Sequence, residues 1–333
     1  MSFIRRAVAR RLVLAVVSII GFGAMLAPLP AGAAYPDKPI RVIVPFAPGG
    51  GGDTLARLVL TKIAEQQGWT IVIDNRAGAG GNIGTATAAN AAPDGYTLVY
   101  GTNGTHAINQ TLYKNPGFNP VSDFEPISGF TQIALLLVTN PNAIPAKSAK
   151  ELIAYLKANP GKINVASAGN GTTSHLAAEM FKAATGVNVL HVPYRGGGPA
   201  KIDLLSGQVQ MMIEIMPSVY SLAREGKLNG LAVTTAKRWP LTPDIPTLSE
   251  AALPDFVVTA WDGLWAPKGT PADIVNLWNA AARKALTDPS LRDKLLANGA
   301  EPSPTTPVEL GHFVKSEIQR WGKAVEQSGA KVE

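Results

Sequence analysis

Short apolar runs alternate along the chain with stretches in which apolar residues recur every three or four positions, the pattern of strands feeding helices. Ile40-Arg41-Val42-Ile43-Val44 predicts a first strand, Pro45 to Gly52 breaks it, and Leu55, Leu58, Val59 and Ile63 give helical spacing over Thr54 to Gln67. Thr70 to Ile73 and Tyr96 to Tyr100 predict two more strands, the latter started by the turn Pro93-Asp94-Gly95. A second unit begins with the apolar strand Ile133 to Val138. Ser148-Ala149-Lys150-Glu151 reads as a capping box for a helix to Ala158. Strands at Ile163–Ala166, Val187–Val192 and Val209–Ile213 then alternate with helices at Ser174–Thr185 and Pro199–Leu205. The chain is expected to return through Leu231 to Thr234 into a mostly helical last third, with helices over Ala272–Leu286, from Asp288-Pro289, and from Thr306-Pro307-Val308-Glu309 to Gln327. This alternation predicts parallel sheets flanked by helices, and no internal repeat is visible.

Length changes the picture first: 333 residues exceed the roughly 250–300 that one core serves, so two α/β lobes joined by two crossing segments are expected. A hydrophobic share of 46% with net charge +6 excludes disorder. The absence of cysteine excludes disulfides, thiolate zinc sites, iron–sulfur clusters and a cysteine nucleophile. Arg5, Arg6, Arg10 and Arg11 precede an apolar stretch from Leu12 to Leu29, and Ala31-Gly32-Ala33 offers a small-x-small cleavage site. Residues 1–34 are therefore expected to be a cleaved signal peptide and the product periplasmic. The leader's four arginines account for four of the six net charges, leaving +2 and no basic cluster, so nucleic-acid binding is not expected.

Three glycine-rich turns stand where a strand feeds a helix: Pro45 to Thr54, Ala166 to His175, and Val192 to Pro199. The first amides of a helix lack intrahelical partners and carry partial positive charge, and glycine lets a ligand approach them closely. Such turns favour a carboxylate or phosphate. Enzymatic motifs fit poorly. In Gly78-Ala79-Gly80-Gly81-Asn82-Ile83-Gly84, Ile83 stands where a dinucleotide loop needs glycine; no P-loop, nucleophile elbow or H-E-x-x-H occurs. No catalytic residue, metal or cofactor is predicted. Asp53 either caps the following helix or offers an inward carboxylate to a ligand amine. Thr54, Thr172 and Ser174 either donate to a carboxylate or satisfy local backbone. His175 is a ligand donor or a packed residue, Tyr194 suits a cleft wall, Arg195 pairs across the lobes or within its own, and Trp261 and Trp265 are expected in the core.

At these residues the chain resembles a known family. The matching segments include Tyr35-Pro36-x-Lys38-Pro39-Ile40-Arg41, Pro45-Phe46-x-x-Gly49-Gly50-x-x-Asp53, Asp74-Asn75-Arg76-x-Gly78-Ala79-Gly80-Gly81, Pro93-Asp94-Gly95-Tyr96-Thr97-Leu98, His191-Val192-Pro193-Tyr194-Arg195-Gly196 and Ala266-Pro267-x-Gly269-Thr270-Pro271. They are similar to the extracytoplasmic solute-binding proteins of tripartite tricarboxylate transporters, also called the Bordetella uptake gene family. The resemblance implies a two-lobed α/β fold of the periplasmic-binding-protein type II kind, hinged by two crossing strands around a cleft. Lobe 1 would comprise 35–135 plus 232–333 and lobe 2 would comprise 136–231. It implies a small organic acid (a di- or tricarboxylate, or an aromatic acid) held by Phe46, Ala47, Gly49, Gly50, Ser167, Gly169, Gly171, Thr172, His175 and Tyr194. Pro48, Asp53, Thr54 and Asn170 from the same turns complete the candidate set. It further implies a monomer delivering its ligand to a permease of one large and one small subunit; a receptor feeding a sensor kinase, or a secreted α/β enzyme, is the alternative. Two departures stand out: Gly52 where a hydroxyl residue is common, and Glu214-Ile215 in place of an Asp-then-polar pair, which predicts a less polar pocket suited to a bulkier or aromatic acid.

Overall fold

A computed structural model describes residues 35–240 and 242–332; the expected leader, residues 1–34, lies outside them. The run Ile40–Val44 forms β1, almost wholly buried as a central parallel strand requires, and Gly51–Gln67 follows as α1. β2 (Ile71–Asn75), α2 (Asn82–Ala89) and β3 (Thr97–Thr102) complete a unit in which β1 pairs in parallel with both other strands. A π-turn at Gly104–Ile108 and the short α3 (Asn109–Leu112) lead to β4, the 16-residue strand Phe124–Thr139. Then come α4 (Ala149–Ala158), β5 (Asn164–Ser167), α5 (Thr173–Thr185), β6 (Leu190–Pro193), α6 (Gly197–Ser206) and β7 (Met211–Ile215). Here β5 pairs in parallel with β6 and β7, so the first unit's arrangement recurs although no repeat shows in the residues.

The remaining elements are α7 (Met216–Arg224), β8 (Asn229–Val233), α8 (Leu248–Ala251), β9 (Thr259–Pro267), α9 (Ala272–Leu286), α10 (Pro289–Ala297), β10 (Ala300–Pro302) and α11 (Pro307–Ser328). The strand order is β2-β1-β3-β9-β4-β7-β5-β6, with β8 and β10 also on β4. The first part of β4 pairs antiparallel with β9 and β10, its last five residues with β7 and β8. One continuous strand thus belongs to both halves of the sheet, and β8 lies beside it where the chain returns. From Lys38 onward the chain is one compact unit.

Three expectations need correction. β4 starts nine residues before the predicted Ile133, because Glu125, Pro126, Ser128 and Gly129 carry no strand pattern and two register shifts accommodate them. The last third holds the nine-residue strand β9; it is buried almost throughout, so it lacks the alternation that would reveal it. Ser148 does accept from the Glu151 amide, but Glu151 reaches back to Lys147 N rather than to Ser148 N, so the box is not closed there.

One core packs Leu136 and Val138 of β4 and Met212 of β7 against Leu204, Met216 and Val219 from α6 and α7. On the β9 side Trp261, Trp265, Trp278 and Trp321 are buried. The Glu317 carboxylate on α11 accepts from Trp261 Nε1 at 2.6 Å and Trp321 Nε1 at 3.0 Å, satisfying two buried indole donors. Thr306 and Glu309 close a full capping box at the start of α11, the helix that carries Glu317. Thr306→Ala is expected to lower the unfolding free energy in urea by about 1 kcal/mol; an unchanged midpoint would show that the cap contributes nothing.

Candidate functional site

The turns after β1, β5 and β6 end on the N-termini of α1, α5 and α6. The first two occupy equivalent places in the two repeated units, at the carboxyl ends of the first strands, where open α/β sheets bind ligands. α1 starts at the N-cap Gly50 and α6 at the N-cap Gly196, neither with a side-chain cap, so their leading amides are not satisfied by a capping side chain. α5 is capped by Thr172, whose side chain accepts from His175 N. A cavity of about 50 Å³ lies where these ends meet, lined by Gly50, Gly51 and Gly52 of α1's start, Thr172, Thr173 and Ser174 of α5's, and Gly197 of α6's. Phe46, Tyr100 and Trp261 add aromatic walls. A cavity of about 360 Å³ adjoins it, sharing Phe46 and Ala168 and lined further by Gly78 to Gly81, Gly169, Asn170, Tyr194 and Arg195.

The two sides of this space touch directly. Ala47 N donates to Arg195 O at 3.2 Å, Thr173 Oγ1 to Asn103 Oδ1 at 2.8 Å, and Tyr113 OH to Asn170 O at 2.9 Å. Backbones approach so closely that a Cβ on Gly198 would stand 2.7 Å from Pro48 O, and one on Gly50 3.2 Å from the amides of Gly197 and Gly198. Glycine is needed at 198 for this approach rather than for a special φ, and at 50 a side chain would force the facing backbone to give by a few tenths of an ångström. The cleft is closed.

Polar groups inside it are unsatisfied. Asn103 Nδ2, Glu214 Oε2 and Ser218 Oγ are buried without a hydrogen-bond partner, at side chains no more than 2% exposed. Such orphans are costly, and native structures keep them where a ligand or water completes them. Burial pushes the Glu214 carboxyl up to about 7, against the lowering influence of the Ile215 N–H, the nearby Ser174 hydroxyl and the charge of Lys201. A second buried acid, Asp262, takes the Tyr100 hydroxyl proton donor and accepts from Thr131 N at 2.8 Å and Thr131 Oγ1 at 2.6 Å. Burial raises it to about 6 despite those donors.

Residues 55–330 match the tripartite tricarboxylate transporter family receptor, TctC. The chain belongs to the TctC family. It is 39% identical to protein BugT of Bordetella pertussis over 321 residues, covering 96% of this chain and 98% of the relative. Among solved structures, it is similar to Rpa4515 of R. palustris with adipate (TM-score 0.87, 37% identity, covering 90% of this chain and all of that one). It is also similar to MatC (Rpa3494) of Rhodopseudomonas palustris with bound malate (TM-score 0.83, 37% identity, covering 87% of this chain and all of that one). The two-lobed fold of periplasmic binding proteins is therefore the fold of this TctC-family chain, and the family is one of periplasmic solute-binding proteins.

The candidate residues separate into three groups. Phe46, Gly50 and Thr172 line the smaller cavity, and Phe46, Gly169, Asn170 and Tyr194 the larger. Ala47, Pro48 and Gly49 make the backbone contacts across the space, and Ser167 and Gly171 hold the second loop from behind. Ser167 Oγ bonds His191 Nε2 at 2.6 Å and accepts from Gly169 N at 3.1 Å, while Gly171 N donates to His175 Nδ1 at 3.2 Å. Asp53, Thr54 and His175 turn elsewhere. Asp53 sits in the first turn of α1, not at its N-cap, and its carboxylate accepts from Gly49 N, Asn75 Nδ2 and Arg57 Nε at 2.8–3.0 Å. Burial raises that carboxyl, but Arg57, the Gly49 N–H and Asn75 outweigh it and hold it below the usual range. Its oxygens are engaged by the first loop, Arg57 and Asn75. Thr54 Oγ1 donates to Gly50 O at 3.0 Å and borders a separate groove with Arg57 and Leu58.

His175 is buried, its ring stacked on His191 at 4.4 Å and 23°. Burial holds both below their ordinary value, to about 3 for His175 and about 4 for His191, so both are neutral at physiological pH. With Glu179 they place ligating atoms within 4.8 Å of one another. In stacked rings, however, the in-plane lone pairs run side by side instead of converging, and His175 Nδ1 and His191 Nε2 are already engaged; the pair fits a buttress better than a metal site. Sequence reasoning missed Tyr100, Asn103 and the lining role of Trp261, and it discounted the Gly78–Gly81 turn, which borders the larger cavity. Thr102-Asn103-Gly104 was the available signal, because it too ends a parallel strand.

The raised Glu214 carboxyl has a stability consequence. Its folded value lies above its ordinary 4.5, so no penalty exists below that value and stability is lost as pH climbs from there to about 7. E214Q is expected to gain about 3 kcal/mol relative to the parent protein between about pH 4.5 and pH 8, by urea unfolding. A difference that stays constant across that range would show a solvated carboxylate.

Proposed function

We propose that this TctC-family protein is an exported receptor that captures a small organic carboxylate and hands it to a tripartite tricarboxylate-type permease of one large and one small subunit. One observation carries the reading: two helix N-termini lacking side-chain caps, a third start rich in hydroxyls, and the orphaned Asn103 amide converge on one buried cavity between facing backbones. Amide ends of this kind suit a carboxylate without a basic side chain. The carboxylates present in the adipate and malate complexes of its relatives support the same class. The basic-then-apolar start of the chain supports export by a cleaved leader.

Phe46, Gly50, Thr172 and Asn103 contact the acid directly, and Gly169, Asn170 and Tyr194 border its outer end. The protein opens by bending β4 and β8 near Leu135–Leu136 and Leu231–Ala232, between a lobe of 35–135 plus 232–333 and a lobe of 136–231. A ligand touching both lobes stabilises the closed form. It works as a monomer and performs no chemistry on its cargo.

Adipate, malate and an aromatic acid are expected to raise the melting temperature and reduce the radius of gyration in solution, while the corresponding diamides do neither. A panel of acids that leaves both quantities unchanged refutes the reading. Asn103→Ala removes a donor to a charged group and is expected to weaken calorimetric binding of whichever acid binds by about tenfold; unchanged affinity would place the carboxylate elsewhere.

A further inference from the structure

We propose that Glu214 meets the bound carboxylate as a neutral carboxylic acid, donating its proton to it, so that capture of the ligand takes up one proton from solvent. The inference rests on the carboxylate reading above and adds to it a residue that selects the ligand's partner group.

Glu214 lies near the end of β7, paired with Leu136 in the interior of the sheet, and lines the smaller cavity. Oε1 accepts from Ile215 N at 3.1 Å and Oε2 has no partner. Gly197 and Ser218 lie beside the carboxyl. Ser218 Oγ is itself unpartnered, and a Cβ on Gly197 would stand 2.8 Å from Ser218 Oγ and 3.7 Å from Glu214 Oε1. The N-terminus of α6 therefore opens directly onto the carboxyl. A ligand carboxylate drawn to those amides is brought against Glu214, and two ionised carboxyls cannot share so dry a space. With one proton between them the clash becomes a charge-assisted hydrogen bond.

The groups facing Glu214 leave it the natural holder of that proton. From α6 the charge of Lys201 acts on it at a distance, since Lys201 Nζ is bound to Gly49 O at 3.3 Å. α5 presents the Ser174 hydroxyl and α7 the Ser218 hydroxyl. β4 presents apolar Leu136, paired with Glu214, and Ala168, just after β5, lines the same cavity. From α1 the Asp53 carboxylate is turned to Arg57, and across the cavity Tyr100 donates to Asp262. No cation among the described residues forms an ion pair with Glu214. Burial raises its proton affinity into the neutral range, so supplying the proton is easy near pH 7.

Titration calorimetry of the purified protein with adipate and with malate, between about pH 7 and pH 9 in two buffers of different ionisation enthalpy, tests this. Both probes are fully ionised there, and Asp262, at about 6, titrates mostly below that window. The expected result is uptake approaching one proton per ligand and a Kd that rises about tenfold per pH unit at the alkaline end. E214Q keeps a donor at the same place, and its Kd is expected to be flat over that range with no proton uptake. The wild-type buffer comparison decides the matter even if the variant does not fold. Binding that is independent of pH, or that tightens as pH rises because an ionised Glu214 accepts from a ligand hydroxyl, overturns the proposal and leaves the carboxylate reading standing. Failure of every acid to bind at any pH overturns both.

Discussion

Amide groups at the first turn of a helix have nothing within that helix to bond to, and this protein aims several of them at one buried space. The arrangement depends on backbones coming together more closely than side chains allow. Gly50 lies against Gly197 and Gly198, and Gly198 against Pro48, so a methyl group at either place would wedge the halves apart. Gly50 and Gly196 at the N-caps leave α1 and α6 without side-chain caps, so the first amides of both helices border the space without a capping side chain.

Everything behind the loops keeps those amides in place. Asp53 ties the first loop to Arg57 and Asn75, and the stacked pair His175 and His191 holds the second through Gly171 and Ser167. The two imidazoles are held well below their ordinary proton affinity by burial, and both rings are engaged by their own loop. They show that a shifted titratable group beside a cavity loop can be structural, while Asn103 and Glu214, which line the smaller cavity, and Ser218 near Gly197 keep buried polar atoms without a partner.

The sheet explains how such a cleft can close around a ligand. β4 is shared by both halves and β8 lies beside it, so the units are joined by paired strands and not by a linker. Each half presents the carboxyl end of its own central strand, β1 or β5, to the space between. The repeated order of strands puts the two helix starts face to face, and one anion can engage both.

Local order fixed much of this protein in its letters. Apolar runs located β1, β5 and the helices α9 to α11, and the glycine-rich turns together with segments such as His191 to Gly196 marked both the family and the loops that line the two cavities. These features depend on near neighbours, which periodicity and turn chemistry record. The fold alone decided which side of each loop faces the cavity. Asp53 and His175 have the residue types of a ligand site but are claimed by partners four and more residues away, such as Asn75 and His191. β9 is buried nearly throughout, so no alternation betrayed it, and with it came Trp261. The family resemblance pointed to Glu214-Ile215 as pocket residues, but that the Glu214 carboxyl is buried there with one oxygen unpartnered was decided by the packing of α6 and α7 over the end of β7.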